Sequence, residues 1–238
     1  MNVEQWREIV SGERRGIPTD IILAVIERES HGELGQAAKR KTKEPYTPQE
    51  IKCGLDRDLI QRALGLMQIT PICLREYNRK NRSDPVTPCE LASKDTRAAR
   101  AQIRVGAWFL DLCLRWAHSV DQAAHPWPRG LLSRPQIELA ALAYKQGIGG
   151  TAARLRAAGV AGLPLTVRSI QKLDPAWGNG ERPYEYAASV ASAYDRGVLD
   201  PVPAPEPKKN DGDFFVIALL GLVAIYWASK KDPFLDRV

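Results

Sequence analysis

The sequence predicts a mainly α-helical domain followed by one C-terminal membrane-spanning helix. Three observations carry that expectation. Apolar residues recur at helical spacing through most of residues 1–198, and capping residues stand where those patterns begin. Strand-like alternation is scarce. An uncharged apolar stretch, Phe214 to Ala228, follows a proline-rich segment near the end. A chain of 238 residues is long enough for one sizeable domain and an appendage.

Val3, Trp6, Ile9 and Val10 fall on one face and predict a short opening helix. Thr19 or Asp20 is positioned to cap a second helix through Ile21-Ile22-Leu23-Ala24-Val25-Ile26, with Gly32 as its stop. That helix is apolar on nearly all sides, which predicts burial at the centre of the domain. Residues 36–56 read as a loop. Thr70 with Pro71 is a cap followed by a proline at the first helical position, opening a helix over Ile72 to Asn78. Asp95 to Trp116 reads as a long amphipathic helix with Trp108 and Trp116 in the core. Ser133 and Gln136, with Pro135 between, form a capping-box pattern for a helix to Tyr144. Residues 174–183 read as a second loop, and Arg182 to Tyr194 as the last helix of the domain.

Residues 199–212 form a proline-rich linker, extended at roughly 3 Å per residue and reaching about 40 Å with its flanks. Residues 213–231 are the expected transmembrane helix. Its uncharged part is shorter than the roughly 20 residues that cross a bilayer comfortably. Asp213, Lys230 and Lys231 can extend it by snorkelling, and Tyr226 and Trp227 suit an interfacial belt. Lys208 and Lys209 before the segment nearly balance Lys230, Lys231 and Arg237 after it, so charge asymmetry selects no orientation. Residues 232–238 are a short tail.

The net charge of +6 favours an anionic partner: nucleic acid, acidic lipid or cell-wall polymer. The basic residues are dispersed, and the brief run Lys39-Arg40-Lys41 reads as a solvated loop, so no specific nucleic-acid site is expected. Cys53, Cys73, Cys89 and Cys113 make no C-x-x-C pair, and the three histidines lack ligand spacing. No metal and no cofactor are therefore expected. One or two disulfides and buried free thiols both fit this pattern. Residues 1–16 carry six charges and no apolar run, so no signal peptide is expected.

Glu29 is the candidate for chemistry. It stands three, four and seven residues after Ile26, Val25 and Ile22, so the four share one helical face. An ordinary glutamate is ionised at neutral pH; burial against apolar groups disfavours the charge and suits the group to donate a proton. Glu27 has Asp20 two turns behind it and is the poorer candidate.

Ala24-Val25-Ile26-Glu27-Arg28-Glu29-Ser30 and Gly65-Leu66-Met67-Gln68-Ile69-Thr70-Pro71 resemble the two leading motifs of the lytic transglycosylases related to goose-type lysozyme. Ala143-Tyr144-Lys145-Gln146-Gly147-Ile148-Gly149 is similar to the third motif, usually Ala-Tyr-Asn-Ala-Gly-x-Gly. Tyr186-Ala187-Ala188-Ser189-Val190 resembles the fourth, with Tyr184 as the competing tyrosine. The resemblance spans residues 15–195 in the family's order and implies that residues 1–198 are a lysozyme-like domain. Three departures stand out: a long interval between Ser30 and Gly65 that includes Cys53, Lys145 and Gln146 in place of asparagine and alanine, and a fourth motif without its acidic-threonine lead-in.

The resemblance implies cleavage of the MurNAc-GlcNAc β-1,4 bond of peptidoglycan with formation of a 1,6-anhydro ring. Glu29 would be the catalytic acid and base; Ser30, Gly65, Leu66, Met67, Gln68, Tyr144 and Tyr186 would line the groove. A hydrolytic lysozyme of the same fold would ask for a second carboxylate, and Glu33, Asp56 and Asp58 read as surface charges instead. The third reading is an inactive structural or ejection protein with a lysozyme-like domain. Trp127 and Trp177 are candidate sugar platforms, and His31 reads as solvent-facing. The expected partners are glycan strands, the membrane and other virion proteins. The expected setting is a single-pass anchored protein of a bacteriophage virion acting at the host envelope during genome delivery.

Overall fold

The computed structural model describes residues 3–51, 53–122, 132–178 and 182–196. The expected linker 199–212, membrane span 213–231 and tail 232–238 lie outside the described residues, as does Trp127. Among the described residues, no helix is long and apolar enough to cross a membrane.

The domain is mainly α. A 3-10 turn at Val3–Trp6 leads into α1, Arg7–Glu13, so the opening segment is tighter at its start than a single helix. Then come α2, Thr19–Ser30; α3, Pro71–Lys80; α4, Pro88–Ala92; and α5, Thr96–Gln122. The last four are α6, Arg134–Gln146; α7, Ile148–Val160; α8, Val167–Leu173; and α9, Pro183–Arg196. Helix α6 is central, packing on α5, α7, α8 and α9, while α2 packs on α1 and α9.

Helix α2 is buried as its composition demands. Ile21, Ile22, Val25 and Ile26 are fully inaccessible, each burial stabilising by about 1.5–3 kcal/mol. Its start differs from expectation. Neither Thr19 nor Asp20 caps it: Pro18 holds the N-cap position, and Thr19 is buried inside the first turn. Its stop is shared. His31 takes the left-handed conformation (φ 54°) and donates its N–H to Glu27 O, with Gly32 following at φ 78°.

The expected caps of α3 and α6 form. Thr70 Oγ1 accepts from Cys73 N, and Ser133 with Gln136 closes a reciprocal capping box. Helix α5 starts beside Asp95, whose carboxylate accepts from Ala98 N, and runs past Trp116 to Gln122. Trp108 is in the core, edge-on to Tyr77 at 5.6 Å; Trp116 packs at its margin.

The described residues between 36 and 56 form no helix. They are pinned instead by an antiparallel bridge, Ala37 to Leu64, by Arg75, and by a Cys53–Cys89 disulfide to α4. Cys73 and Cys113 are buried free thiols. The Arg75 guanidinium donates to both oxygens of Glu50 at 2.6 and 2.9 Å and holds that carboxyl down at about 2.

Two outcomes are expected. Because the Glu50 carboxyl lies below its ordinary 4.5, its contribution is complete above that value and is lost as pH falls toward about 2. Thermal melts should therefore lose up to about 2 kcal/mol over that window in the native chain and less in Glu50→Gln, after allowance for partial exposure. Reducing Cys53–Cys89 should lower stability by up to about 4 kcal/mol, measured by urea unfolding with and without reductant.

Candidate active site

Glu29 occupies the last turn of α2. Its side chain is only 6% exposed, whereas that of Glu27 is 48% exposed and approaches His31, itself 74% exposed. The two carboxylates of the same helix thus separate into one buried and one solvated. A carboxylate near a helix C-terminus meets the negative end of the macrodipole, which adds to the desolvation opposing its charge.

The Gly65–Pro71 segment lies directly against this helix end. Ser30, 1% exposed, donates its hydroxyl to Leu66 O at 2.8 Å, with Ile26 O as the more distant acceptor at 3.1 Å. Leu66 N donates to Gln102 Oε1 at 2.8 Å, and Gln102 Nε2 donates to Leu91 O at 2.7 Å. Leu64 and Ile69 pair across the turn. Gly65 sits at φ 81°, where a Cβ would lie 2.3 Å from Gln102 Cδ. No side chain fits there.

The motif residues therefore divide. Leu66 and Met67 are fully buried, and Met67 packs on α5 at Gly106, where a Cβ would lie 2.4 Å from its sulfur. These side chains build the turn and are closed to solvent. Gln68, at φ 49°, folds its amide nitrogen back onto Gly65 O at 2.9 Å and Gln36 O at 3.3 Å. Tyr144 Oη donates to Met67 O at 2.7 Å, tying α6 to the turn.

Of the two candidate tyrosines of α9, Tyr184 and Tyr186, it is Tyr186 that stands by the acid. It is 3% exposed, and among the described residues its buried hydroxyl has no hydrogen-bond partner within 3.5 Å, although the Glu29 carboxylate lies near enough to bear on it. Burial first, then the nearby Glu29 carboxylate, push its phenol well above the ordinary value. Burial and then surrounding groups, Glu29 among them, do the same to Tyr144. Both remain neutral at pH 7. Tyr184, in the same first turn, faces the segment before the helix: its hydroxyl donates to Asp174 O at 2.5 Å, and its ring meets Trp177 at 6.3 Å.

Lys145 completes the centre. From the last turn of α6 its Nζ reaches Glu29 Oε2 at 3.1 Å and lies 5.4 Å from the Tyr186 ring centroid. Burial disfavours the ionised carboxylate and the ammonium favours it, so the two act in opposite directions. The next residue, Gln146, lines a cleft of about 540 Å³ with Arg40, Arg154, Asp174 and Trp177. The Arg154 guanidinium stacks on Trp177 at 4.0 Å and pairs with Asp174 at 2.9 Å. One face of that indole is therefore already covered.

Asp56 accepts from Asp58 N, Asp58 pairs with Arg62, and Glu33 is exposed. None is joined to Glu29 by a described contact. Among the described residues no group of His, Cys, Asp or Glu could hold a metal. Sequence reasoning missed Gln102, whose only signal is a polar residue on the apolar face of a long helix. Compared with family models, curated proteins and solved structures, the chain finds no match.

Gly65→Ala is expected to destabilise the fold by about 2–4 kcal/mol, because it adds backbone strain to a buried clash. Denaturant unfolding measures this, and a midpoint equal to that of the native chain contradicts the account of the turn.

Proposed function

We propose that this protein is a peptidoglycan lytic transglycosylase with a lysozyme-like domain, in which Glu29 is both acid and base. The observation that carries the reading is the Glu29 side chain, 6% exposed at the end of a buried helix and beside a neutral, buried tyrosine. The resemblance of the motifs around it supplies the substrate: the β-1,4 bond between MurNAc and GlcNAc.

In the reaction the Glu29 carboxyl gives its proton to the glycosidic oxygen as the bond from the muramyl anomeric carbon breaks. The 6-hydroxyl oxygen of the same sugar bonds to that carbon, and the Glu29 carboxylate takes the hydroxyl proton. One carboxyl returns to its starting state, no water is consumed, and the product ends in a 1,6-anhydro ring. Attack within one sugar gains from proximity, so a second carboxylate is unnecessary. Tyr186, neutral and beside the acid, can donate a hydrogen bond to the carboxylate while it is charged. The apolar segment within residues 213–231 would hold the domain at a membrane near the wall.

The Lys145 ion pair favours a second reading, a domain that holds glycan without cutting it, since an ionised acid has no proton to give. Turbidity clearing of purified cell walls separates the two. Glu29→Gln is expected to lower clearing by about 10²–10⁴-fold with an unchanged far-UV circular dichroism spectrum. Muropeptide analysis should find anhydro ends; reducing ends would mean a hydrolase, and undiminished clearing by Glu29→Gln would remove the residue from its role.

A further inference from the structure

We propose that the corner between α7 and α8 is a membrane-docking tip, which seats its apolar apex in the interface of an acidic bilayer and its flanking cations on the lipid headgroups. This goes beyond the proposed cleavage and does not rest on it.

The charge pattern marks this part of the chain. From Leu139 to Leu173 there is no aspartate or glutamate, while Lys145, Arg154, Arg156, Arg168 and Lys172 are cations. Lys145 faces Glu29, and Arg154 pairs with Asp174. Arg156, Arg168 and Lys172 are exposed and enter no ion pair among the described residues. The acids of the helices packed against α7 and α8 already have cationic partners. Glu138 of α6 and Asp195 of α9 pair with Arg134, and Glu185 of α9 pairs with Arg182. The corner therefore presents positive charge that its neighbours do not offset.

Between these cations lies an apolar apex. No charge occurs from Ala157 to Val167. Val160 is 92% exposed and Leu173 45%, two of the three exposed large apolar side chains among the described residues. A single exposed valine is ordinary; one at the head of an uncharged run flanked by three exposed cations marks a surface built for contact. The backbone of the apex is closed on itself. Ala161 N donates to Ala157 O at 3.0 Å, Gly162 N to Gly159 O at 3.0 Å and Leu163 N to Ala158 O at 2.9 Å. Pro164 has no N–H, and Thr166 N donates to Pro164 O at 2.9 Å. Paired groups of this kind lower the cost of leaving water.

The partner follows from the layering. An apolar apex edged by cations matches acyl chains lying beneath anionic headgroups. A nucleic acid would offer the phosphates without the apolar layer. The uncharged run Phe214 to Ala228, on a linker that reaches about 40 Å, would keep the domain near such a surface. Helix α7 starts three residues beyond Lys145 and is about 20 Å long, so an occupant of its far end does not cover the Glu29 site.

The test uses the full chain in nanodiscs of phosphatidylcholine, with or without about one third phosphatidylglycerol. A nitroxide is attached at Val160→Cys and, as a control, at Ser11→Cys; Ser11 is exposed on α1, which packs on α2 and α5. Cys73 and Cys113 are buried and Cys53 is joined to Cys89, so the label takes the new thiol. Collision with oxygen against a water-soluble nickel chelate reads the depth of each label. The label at 160 should enter lipid only in the anionic discs, and the label at 11 should stay in water in both. Arg156→Gln, Arg168→Gln and Lys172→Gln together should lower the docked-to-free ratio by about 10²-fold, at roughly fivefold per cation, with an unchanged far-UV circular dichroism spectrum. Ala161→Asp should abolish insertion, and raised salt should weaken it. Equal depth of the label at 160 in the two lipids overturns the proposal, and anchoring by the tail alone gives that result. Insertion that survives the triple substitution overturns it too. Shielding of the label in lipid-free detergent that grows with protein concentration assigns the tip to a second copy of the chain and refutes the lipid role.

Discussion

The site depends on one backbone carbonyl. Leu66 O receives the Ser30 hydroxyl from the end of α2, while Leu66 N–H gives itself to Gln102 of α5. All three residues are buried, so neither peptide group could turn to water if its partner were lost, at a cost of about 1–3 kcal/mol each. Two helices far apart in sequence are thereby joined through a single residue of the turn between them. Glu29 precedes Ser30, so the position of its carboxyl relative to the turn follows from that bond. Tyr144 adds a third tie at the neighbouring carbonyl and brings α6, with Lys145, into register.

The phenols of Tyr144 and Tyr186 beside Glu29 are held neutral by burial, and the Lys145 ammonium stands 3.1 Å from the carboxylate. A buried carboxylate without a partner would be costly, and a partner that never leaves would withhold the proton that acid chemistry requires.

Much of this was legible in the sequence where the signal is local. The Thr70-Pro71 and Ser133-Pro135-Gln136 caps mark their helices because a cap satisfies its own orphan N–H groups. Glu29 has apolar residues three, four and seven positions back, but the helix is so apolar that periodicity alone does not choose it over Glu27; the packing of the Gly65–Pro71 turn and α6 against the helix end does. The start of α2 was misread because Thr19 has a capping hydroxyl, yet packing buries it inside the first turn. Helices α4, α7 and α8 escaped notice. The first is barely one turn, the second opens on Ile148-Gly149-Gly150, poor helix formers held by tertiary packing, and the third is two turns long. The roles of Met67 and Gln102 are non-local. Nothing in the motif string says that Met67 fills the space left by Gly106, or that Gln102 reaches the turn from 36 residues away. Lys145 was visible as a departure from the family pattern, but its partner, 116 residues upstream, was not.

The Cys53–Cys89 bond has a topological consequence. It closes a covalent ring of chain that contains the whole Gly65–Pro71 turn and α3. A protease that nicks the exposed segment around Asp56 to Asp58 would open the ring without releasing either end. The severed pieces would travel together through any purification that lacks a thiol reagent, so intact mass under such conditions is no proof of an unbroken backbone.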